Sequence, residues 1–395
     1  MRHRSLTTLC AGALAALAMS VSPVLLSAQT PAAAKPGPAQ PATAKPAASP
    51  AAAKPYTPPR TKDGHPDLSG MYDVATMTPL ERPAEAGGRL VLTKEEAGAI
   101  EQYEYQRQVK NDAPLAGDRP APPVGGENTT AKSYLEVLEK FGGGVVGGYN
   151  NFWLAGGMNV ITVEGQKRSS ILIDPPDGKL PPMKADARQR NARLRAGAVA
   201  PDAGEAAAAA GPPGAFDGPE LRPLAERCLL GFGSTSGPPA LPNYFYNNLK
   251  QIVQTPTQIM ILNEMVHDAR VIRMDDKHLP STIRRWNGDS IGRWEGDTLV
   301  VDTTNFTSKT QFNGSSDQLH VVERFRRSDA NTIIYRFTIE DPDTWERAWT
   351  GEYPWVATKE NLYEYACHEG NYSLSNMLKG ARLKEAEDAA KKPQQ

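Results

Sequence analysis

Two glycine-centred turn signals lie close together in the segment Ile283–Phe312, and they restrict the folds open to this chain. They read Asn287-Gly288-Asp289 and Glu295-Gly296-Asp297, and short runs rich in Trp, Ile, Val and Thr flank each of them. Glycine beside Asn or Asp provides the positive φ that a tight hairpin turn needs, and the flanking residues suit a pleated sheet. The segment therefore predicts a β-meander that continues almost to the C-terminus.

Strand and turn signals recur along most of the chain and predict an all-β protein. In residues 333–340, Ile333, Tyr335 and Phe337 lie on one face and polar side chains lie on the other. Closure of such a sheet into a barrel removes its unpaired edges. We therefore expect an antiparallel meander closed into a barrel or sandwich, calycin-like or lipocalin-like in outline, with a few peripheral helices. Strands are predicted near Met71 and at 159–163, 169–174, 251–255, 258–265, 271–274, 283–306, 319–327, 333–340, 345–355 and 362–367, and a helix capped by Thr93 is predicted to reach about Val109.

Composition divides the chain into four parts. Residues 1–28 have the basic start, apolar run and small-residue end of a secretory signal peptide. Residues 29–61 are almost only Ala, Pro and Lys, which predicts a disordered spacer. Residues 62–380 are predicted to form a single β-rich domain, with an Ala/Gly-rich excursion near 184–218. Residues 381–395 are predicted to be a frayed tail.

The cysteines agree with export from a bacterial cytoplasm. Removal of the signal peptide leaves only Cys228 and Cys367, and two cysteines in an oxidising compartment most simply form one disulfide. The alternative is two buried free thiols. A membrane anchor is the rival interpretation of the apolar run, although Pro23 and the lack of basic residues after the run argue against it. We therefore predict a periplasmic or secreted protein with no integral membrane segment after signal removal.

The charge balance and motif content exclude several classes of partner. A net charge of −1 gives no electrostatic basis for binding nucleic acid. No metal site is predicted, because the histidines and cysteines lack the usual ligand spacings; a site assembled from distant strands, such as His267, His320 and His368, stays open. No cofactor is predicted, because the glycine-rich residues 141–157 lack the phosphate-loop and dinucleotide patterns. The sequence does not indicate an oligomeric state.

Several longer motifs resemble those of a known group of proteins. They are Trp286–Phe306, with the core Gly-Asp-Ser-x-Gly-Arg-Trp-Glu-Gly-Asp-Thr-Leu-Val-Val, Gln251–Pro256, Ile261–Arg270, Tyr365–Tyr372 and Gly64–Gly70. Together they are similar to a family of secreted bacterial proteins with this signature and without an established activity. The resemblance covers most of the chain from Gly64 to Tyr372. It implies a secreted relative and no particular reaction.

Four ionisable residues at the end of an apolar strand are the candidate catalytic residues. They are Glu264, His267, Asp268 and Arg270. His267 beside carboxylates is a potential general base, and Arg270 is suited to orient an anion. The structural alternative pairs Asp268 with Arg270 while His267 caps a turn.

Aromatic and polar side chains elsewhere are the candidate ligand contacts. Cys367 beside His368 also suggests a nucleophile, but neighbours on a strand point to opposite faces, so we favour the disulfide. Tryptophan is more often a core residue than a ligand contact. The candidate ligand-binding residues are Tyr149, Asn150, Trp153, Tyr246, Asn247, Trp294, Arg336 and His368.

Three functions remain open on this basis. The first is an exported envelope protein whose β-barrel binds a small molecule. The second is a cofactor-independent enzyme, such as a hydrolase, lyase or isomerase, that uses the His, carboxylate and Arg cluster. The third is a structural envelope protein without a ligand. A deep polar pocket would favour the enzyme, an aromatic cavity the binder and a filled barrel the structural protein.

Overall fold

The computed structural model describes residues 56–112, 156–195, 216–222, 224–231, 237–243, 246–309 and 312–391. Within these residues nine strands form a closed mixed β-barrel with three peripheral α-helices, as the sequence predicts. The strands are β1 (Gly70–Asp73), β2 (Thr162–Val163), β3 (Gln166–Lys167), β4 (Leu172–Asp174), β5 (Leu249–Gln254), β6 (Gln258–Asn263), β7 (Asp268–Met274), β8 (Asp289–Glu295), β9 (Thr298–Thr304), β10 (His320–Arg327), β11 (Thr332–Glu340) and β12 (Trp349–Ala357), and the helices are α1 (Lys94–Asp112), α2 (Ala185–Arg195) and α3 (Tyr372–Lys391).

The barrel closes between its first and last strands. Its order is β1-β5-β6-β7-β8-β9-β10-β11-β12, and β12 pairs with β1. Tyr72 of β1 lies opposite Lys250 of β5 on one side and Ala357 of β12 on the other. β4 adds to β12 outside this ring, and β2 pairs only with β3. Closure gives each of the nine strands two barrel neighbours, which removes open edges.

One pair of neighbouring strands departs from the expected antiparallel meander. β7 and β8 run parallel, with Ile272 opposite Ser290. Parallel neighbours need a crossover, and residues 275–288 supply it. Gly296 therefore turns the β8–β9 hairpin as predicted, whereas Gly288 ends the crossover. Gly288 has φ +68°, and an added Cβ would lie 2.6 Å from the carbonyl oxygen of Thr304.

Aromatic side chains fill much of the barrel interior. The ring centroids of Phe325 and Tyr335 are 4.9 Å apart, and those of Tyr335 and Trp355 are 5.1 Å apart. All three side chains are fully buried. Gly351 leaves room for the neighbouring Phe337, because an added Cβ would lie 2.3 Å from its ring. The alternation seen in the sequence therefore identifies the packed inner face.

The polar faces of the same strands point away from the interior. Arg324 Nη1 lies 2.8 Å from Glu295 Oε2 at the exposed surface. Arg336 Nη2 lies 2.6 Å from Glu352 Oε2, and its side chain is half exposed. Glu323, between Val321 and Phe325 in the alternation, is the buried exception on the inner face. The outward arginines therefore do not line a barrel cavity.

Two boundary predictions are corrected. Residues 362–367 form no strand, and Tyr363 N instead donates to Glu264 Oε1 over 3.1 Å. α3 continues to Lys391, through most of the predicted tail, because the segment after Gly380 is rich in strong helix formers.

The Thr93 capping box is confirmed: Thr93 N donates to Glu96 Oε2 over 2.8 Å, and Glu96 N donates to Thr93 Oγ1 over 3.1 Å. α2 lies at the start of the excursion near 184–218.

Cys228 and Cys367 lie within disulfide-bonding distance and join two segments that are far apart in the sequence. The Sγ atoms of Cys228 and Cys367 are 1.96 Å apart, and their Cα atoms are 5.7 Å apart. Asn371 Nδ2 donates to Glu226 O over 2.9 Å beside the pair. The pairing predicted from the cysteine count is thus present. In the part of the chain that the structure describes, no helix has the length and apolar character needed to cross a membrane.

Candidate functional site

Charged and polar side chains gather inside one end of the barrel, which we call the polar end. Its inward-facing members come from strands β5, β6, β7, β10 and β11, and all but Asp268 are buried. Strand pairing sets them side by side, since Lys250 lies opposite Asn263, and Asn263 lies opposite Asp268. The polar end consists of Lys250, Asn263, Asp268, Arg270, Glu323 and Tyr335.

A fully buried ion pair lies at the centre of the polar end. Arg270 donates to both carboxylate oxygens of Glu323, over 2.9 Å from Nη2 to Oε1 and through Nη1 to Oε2. Tyr335 Oη donates to the same Oε1 over 2.8 Å, and burial and then the Glu323 charge raise the Tyr335 pKa well above its ordinary value. Arg270 is therefore fully engaged within the protein, as the structural alternative required, although its partner is Glu323 and not Asp268.

A short 3₁₀ turn places the four candidate catalytic residues differently. The turn covers Met265–His267 and holds Val266 at φ 63° and His267 at φ 43°. His267 is exposed, whereas Glu264 is buried and accepts from Leu249 N over 3.3 Å. The turn also brings Asn263 onto the inner face with Asp268, although strand parity alone separates them. The structure therefore gathers Glu264, Asp268 and Arg270 around the polar end and leaves His267 outside it.

Lys250 is the unexpected member of the polar end. Its side chain is 0% exposed, and its Nζ atom makes no hydrogen bond to any described residue. Burial lowers the pKa of Lys250 from 10.5 to about 8, while Glu264 and Asp268 act in the opposite direction. The sequence reads Leu-Lys-Gln-Ile-Val at residues 249–253. Lys250 is two residues before Ile252, so strand alternation was the available signal that Lys250 also faces inward.

Segment 237–243 closes the polar end. Ala240 N donates to Tyr335 Oη over 3.0 Å, and Tyr353 Oη donates to Ala240 O. Ala240 and Leu241 are buried in the main core cluster. The backbone of this segment is thereby bonded into the barrel interior and shields the polar end from solvent.

The candidate ligand contacts that lie within the described residues do not converge on one place. Tyr246 stacks on Tyr365 with ring centroids 6.5 Å apart, beside Asn247 at φ 56°. Trp294 stacks on His65 at 5.1 Å. Arg336 lies on the outer surface, and His368 is exposed. Tyr149, Asn150 and Trp153 lie outside the described residues.

A groove lies between α1 and the chain that enters and leaves the β2–β3 hairpin. Its volume is about 290 Å³ and its lining is mostly apolar. Glu101 holds α1 against this hairpin, because its Oε1 accepts from Val160 N over 3.0 Å and from Lys167 Nζ over 2.7 Å. The lining residues are Met77, Thr78, Pro79, Pro83, Glu85, Ala86, Leu92, Glu96, Ala99, Ile100, Val160, Arg168 and Ser169. We call it the α1 groove.

Arg168 is the cation of the α1 groove. Its Nε atom is buried and has no hydrogen-bond partner, and no ion pair to it is found among the described residues. Glu96 is engaged by Arg89, with Arg89 Nη2 2.6 Å from Glu96 Oε1, and by the helix cap. Glu85 is exposed at the rim. Arg168 is therefore a cation within reach of a ligand.

A row of alternating imidazoles and carboxylates lies on the outside of the barrel. His278 Nε2 and His320 Nε2 lie 3.0 and 3.1 Å from Asp302 Oδ1, and His278 Nδ1 lies 3.1 Å from Asp289 Oδ2. The hydrogen bond to Asp302 raises the pKa of His320. Burial favours a higher pKa for Asp289, but the bonds from Arg273, Leu279 N and His278 lower it to about 2. No three His, Cys, Asp or Glu side chains of the described chain are arranged to hold a metal ion.

Comparisons with known proteins find no relative for this chain. No family profile matches it, no curated protein matches it, and no solved structure matches it. The signature in residues 286–306 therefore stays a resemblance in motifs. What the sites do is argued from their own geometry.

Proposed function

We propose that this chain is an exported protein that binds a small amphiphilic molecule, with an apolar body and one anionic group, in the α1 groove. The observation that carries the proposal is Arg168, a cation without a partner among the described residues, in a mostly apolar groove. Polar groups buried without partners are rare and costly, and a ligand that supplies the partner removes that cost. The barrel itself is the scaffold beside which the groove is built.

The lining of the groove supports an apolar ligand body. Met77 and Val160 are buried against Ala97 of α1, and Leu92 and Ile100 pack on this small cluster. Small-molecule sites are commonly concave and mostly apolar, with a few polar groups that fix the orientation of the ligand. A volume of about 290 Å³ is at the lower end of such sites. The groove therefore suits a single short chain or ring and not a large cofactor.

The charges around the groove favour an anionic head group. Arg168 forms no ion pair within the described part of the chain, while the Glu96 carboxylate is already compensated by Arg89. Guanidinium groups bind carboxylates and phosphates through two parallel hydrogen bonds. Glu85 repels an anion only at the exposed rim, where solvent screens the interaction. An anion bound at Arg168 thus completes the hydrogen bonding of its buried nitrogen.

Export is the second part of the proposal. The N-terminal 28 residues carry the signal-peptide pattern, and the Cys228–Cys367 pair fits an oxidising compartment. Sequencing the N-terminus of protein recovered from the periplasm tests this part. The expected mature chain begins near Gln29, and recovery of an uncleaved chain from the cytoplasm would contradict it.

Calorimetric titration with decanoate and with decan-1-ol tests the site. Arg168→Met should weaken decanoate binding about tenfold or more, because a charge-assisted hydrogen bond is lost, and should leave decan-1-ol binding nearly unchanged. Ala99→Trp, on the exposed side of α1, should fill the groove and weaken both. Arg293→Met, which removes an exposed arginine of β8, is the matched control and should change neither. The proposal fails if decanoate does not bind, or if it binds all variants alike.

The enzyme alternative depends on the polar end of the barrel. His267, its proposed base, is exposed, and Arg270 is engaged by Glu323. The observation that favours an enzyme is instead Lys250, which the sequence reasoning did not single out. A buried amine beside carboxylates is a recurring nucleophile or base in enzymes.

A further inference from the structure

Lys250 occupies a position that packing and stability do not explain. Its side chain is fully buried on the inner face of β5, opposite Asn263 and Tyr72, and its Nζ makes no hydrogen bond to the described chain. Burying an amine without hydrogen bonds destabilises a fold, and an unbranched apolar side chain fills a similar volume without that cost. A ligand that reacts with the amine or bonds to it is the remaining physical reason for a lysine here.

We propose that the Lys250 amine attacks the carbonyl carbon of a small neutral aldehyde or ketone at the polar end and forms an imine. The Nζ–carbon bond forms and the carbon–oxygen double bond opens to a carbinolamine. The oxygen then leaves as water, taking both amine protons in the net reaction. No oxidant, reductant or cofactor is required. The inference is independent of the α1 groove, because the two sites share no residue.

Asp268 is placed to move the proton in this step. Its Oδ2 accepts from Asn287 Nδ2, while its Oδ1 accepts no hydrogen bond from the described residues. It is also only partly buried, unlike Glu264, whose two oxygens accept from Leu249 N and Tyr363 N. Loss of water from a carbinolamine needs a proton at the leaving oxygen, and a carboxylate that first takes a proton from the attacking nitrogen can pass that proton to the oxygen.

The surroundings select the ligand class. Arg270 is engaged by Glu323 and offers no free cation, and Glu264 and Asp268 add negative charge, so an anionic keto acid is disfavoured. Buried aromatic side chains fill the neighbouring interior, so only a small molecule is compatible with the polar end.

The lowered pKa of Lys250 also favours the reaction at neutral pH. The nucleophile is the neutral amine, and burial lowers the Lys250 pKa to about 8 from 10.5. At pH 7 the neutral fraction is thereby about 300 times that of an ordinary surface lysine. A larger share of Lys250 side chains is therefore in the reactive, neutral form at pH 7.

Borohydride trapping with acetone and with propanal tests the proposal on the folded full-length chain at pH 7. Intact mass spectrometry should show one reduced adduct before the surface lysines react, and peptide mapping should place it on Lys250. Lys250→Met should abolish this fast adduct. Lys277→Met, which removes an exposed lysine of the crossover, is the matched control and should leave it unchanged. Asp268→Asn should slow adduct formation at least tenfold while the folded fraction stays the same.

Three results would overturn the inference. They are a Lys250 that stays unmodified while surface lysines react, an adduct that persists in Lys250→Met, and faster trapping of pyruvate than of acetone. The urea-unfolded chain, in which all lysines react alike, shows that the Lys250 peptide is detectable. Failure of carbonyl trapping at Lys250 does not change decanoate binding in the α1 groove. The two proposals can therefore fail separately.

Discussion

Arg270 and Glu323 bind each other across the interior of the barrel, from strands β7 and β10 that are not neighbours in the sheet. The side chains are 5% and 0% exposed, so the pair is held almost entirely in protein. Tyr335 and, through it, Ala240 extend the same hydrogen-bonded unit to segment 237–243. The pair therefore couples the barrel wall to the segment that closes its polar end.

Breaking this pair on one side is expected to destabilise the fold strongly. Arg270→Met leaves the Glu323 carboxylate buried without its cation, and loss of one partner of a buried pair typically costs about 3–5 kcal/mol. The double variant Arg270→Met/Glu323→Leu should recover most of that loss, because no charge remains buried. Urea unfolding followed by tryptophan fluorescence measures both. A double variant as unstable as the single one would show that the pair stabilises the fold by more than charge compensation.

Replacing Lys250 by Met is expected to stabilise the protein by about 1–3 kcal/mol at pH 7, since the variant no longer buries an amine that has no hydrogen bond to the described residues. The stability difference between wild type and Lys250→Met also depends on pH. Because the folded pKa, about 8, is below the ordinary 10.5, the unfolded chain binds more protons between these values. Wild-type stability should therefore rise relative to Lys250→Met from about pH 8 to pH 10.5. Differential scanning calorimetry across this range measures the difference, and a destabilised Met variant would indicate a structural role for the amine.

His320 is expected to add stability at acidic pH. Its pKa is raised by the bond to Asp302, so its contribution is fully present below the unfolded value of about 6.5 and is lost as the pH rises through the folded value. The side chain is 31% exposed, so the contribution should not exceed about 1 kcal/mol. The stability gap between wild type and His320→Gln should be larger at pH 5.5 than at pH 8.5. A gap that grows with pH would contradict this sign.

Removal of the Cys228–Cys367 link is expected to lower stability without changing the barrel. The link spans 139 residues in sequence, and closing a loop of this length contributes up to about 5 kcal/mol in the chain-entropy model. Cys228→Ser/Cys367→Ser should therefore unfold at a lower urea concentration and keep the wild-type far-ultraviolet circular dichroism. An unchanged midpoint, or two thiols that alkylate in native protein from the periplasm, would show that the link does not form.

The α1 helix and the barrel strands could be predicted because their signals are local. The reciprocal hydrogen bonds of Thr93 and Glu96 need only four consecutive residues, and the period-two alternation at Ile333 and Tyr335 states which face is buried. Local signals gave a wrong prediction where one turn signal fits two kinds of connection. Gly288 suits a hairpin and a crossover equally well, because both need a residue at positive φ. The parallel β7–β8 pair therefore could not be read from the sequence.

The sites depended on contacts between distant segments. The sequence predicted a site in Glu264–Arg270, because ionisable residues are adjacent there. In the structure a single 3₁₀ turn separates His267 from the others. Arg168 gave no signal of its own, since the α1 groove exists only where α1 and the β2–β3 hairpin meet.

By itself, the sequence determined the all-β class, the inner and outer faces of the strands, the helix cap and the cysteine partners, because these follow from the spacing of residue types along the chain. Only the tertiary structure decided that the barrel closes with a parallel pair, that Arg270 binds Glu323 and that Lys250 is buried without a hydrogen bond to any residue that the structure describes. Those outcomes depend on which strands become neighbours and on how much water is excluded when the barrel closes. Neither is encoded within one strand.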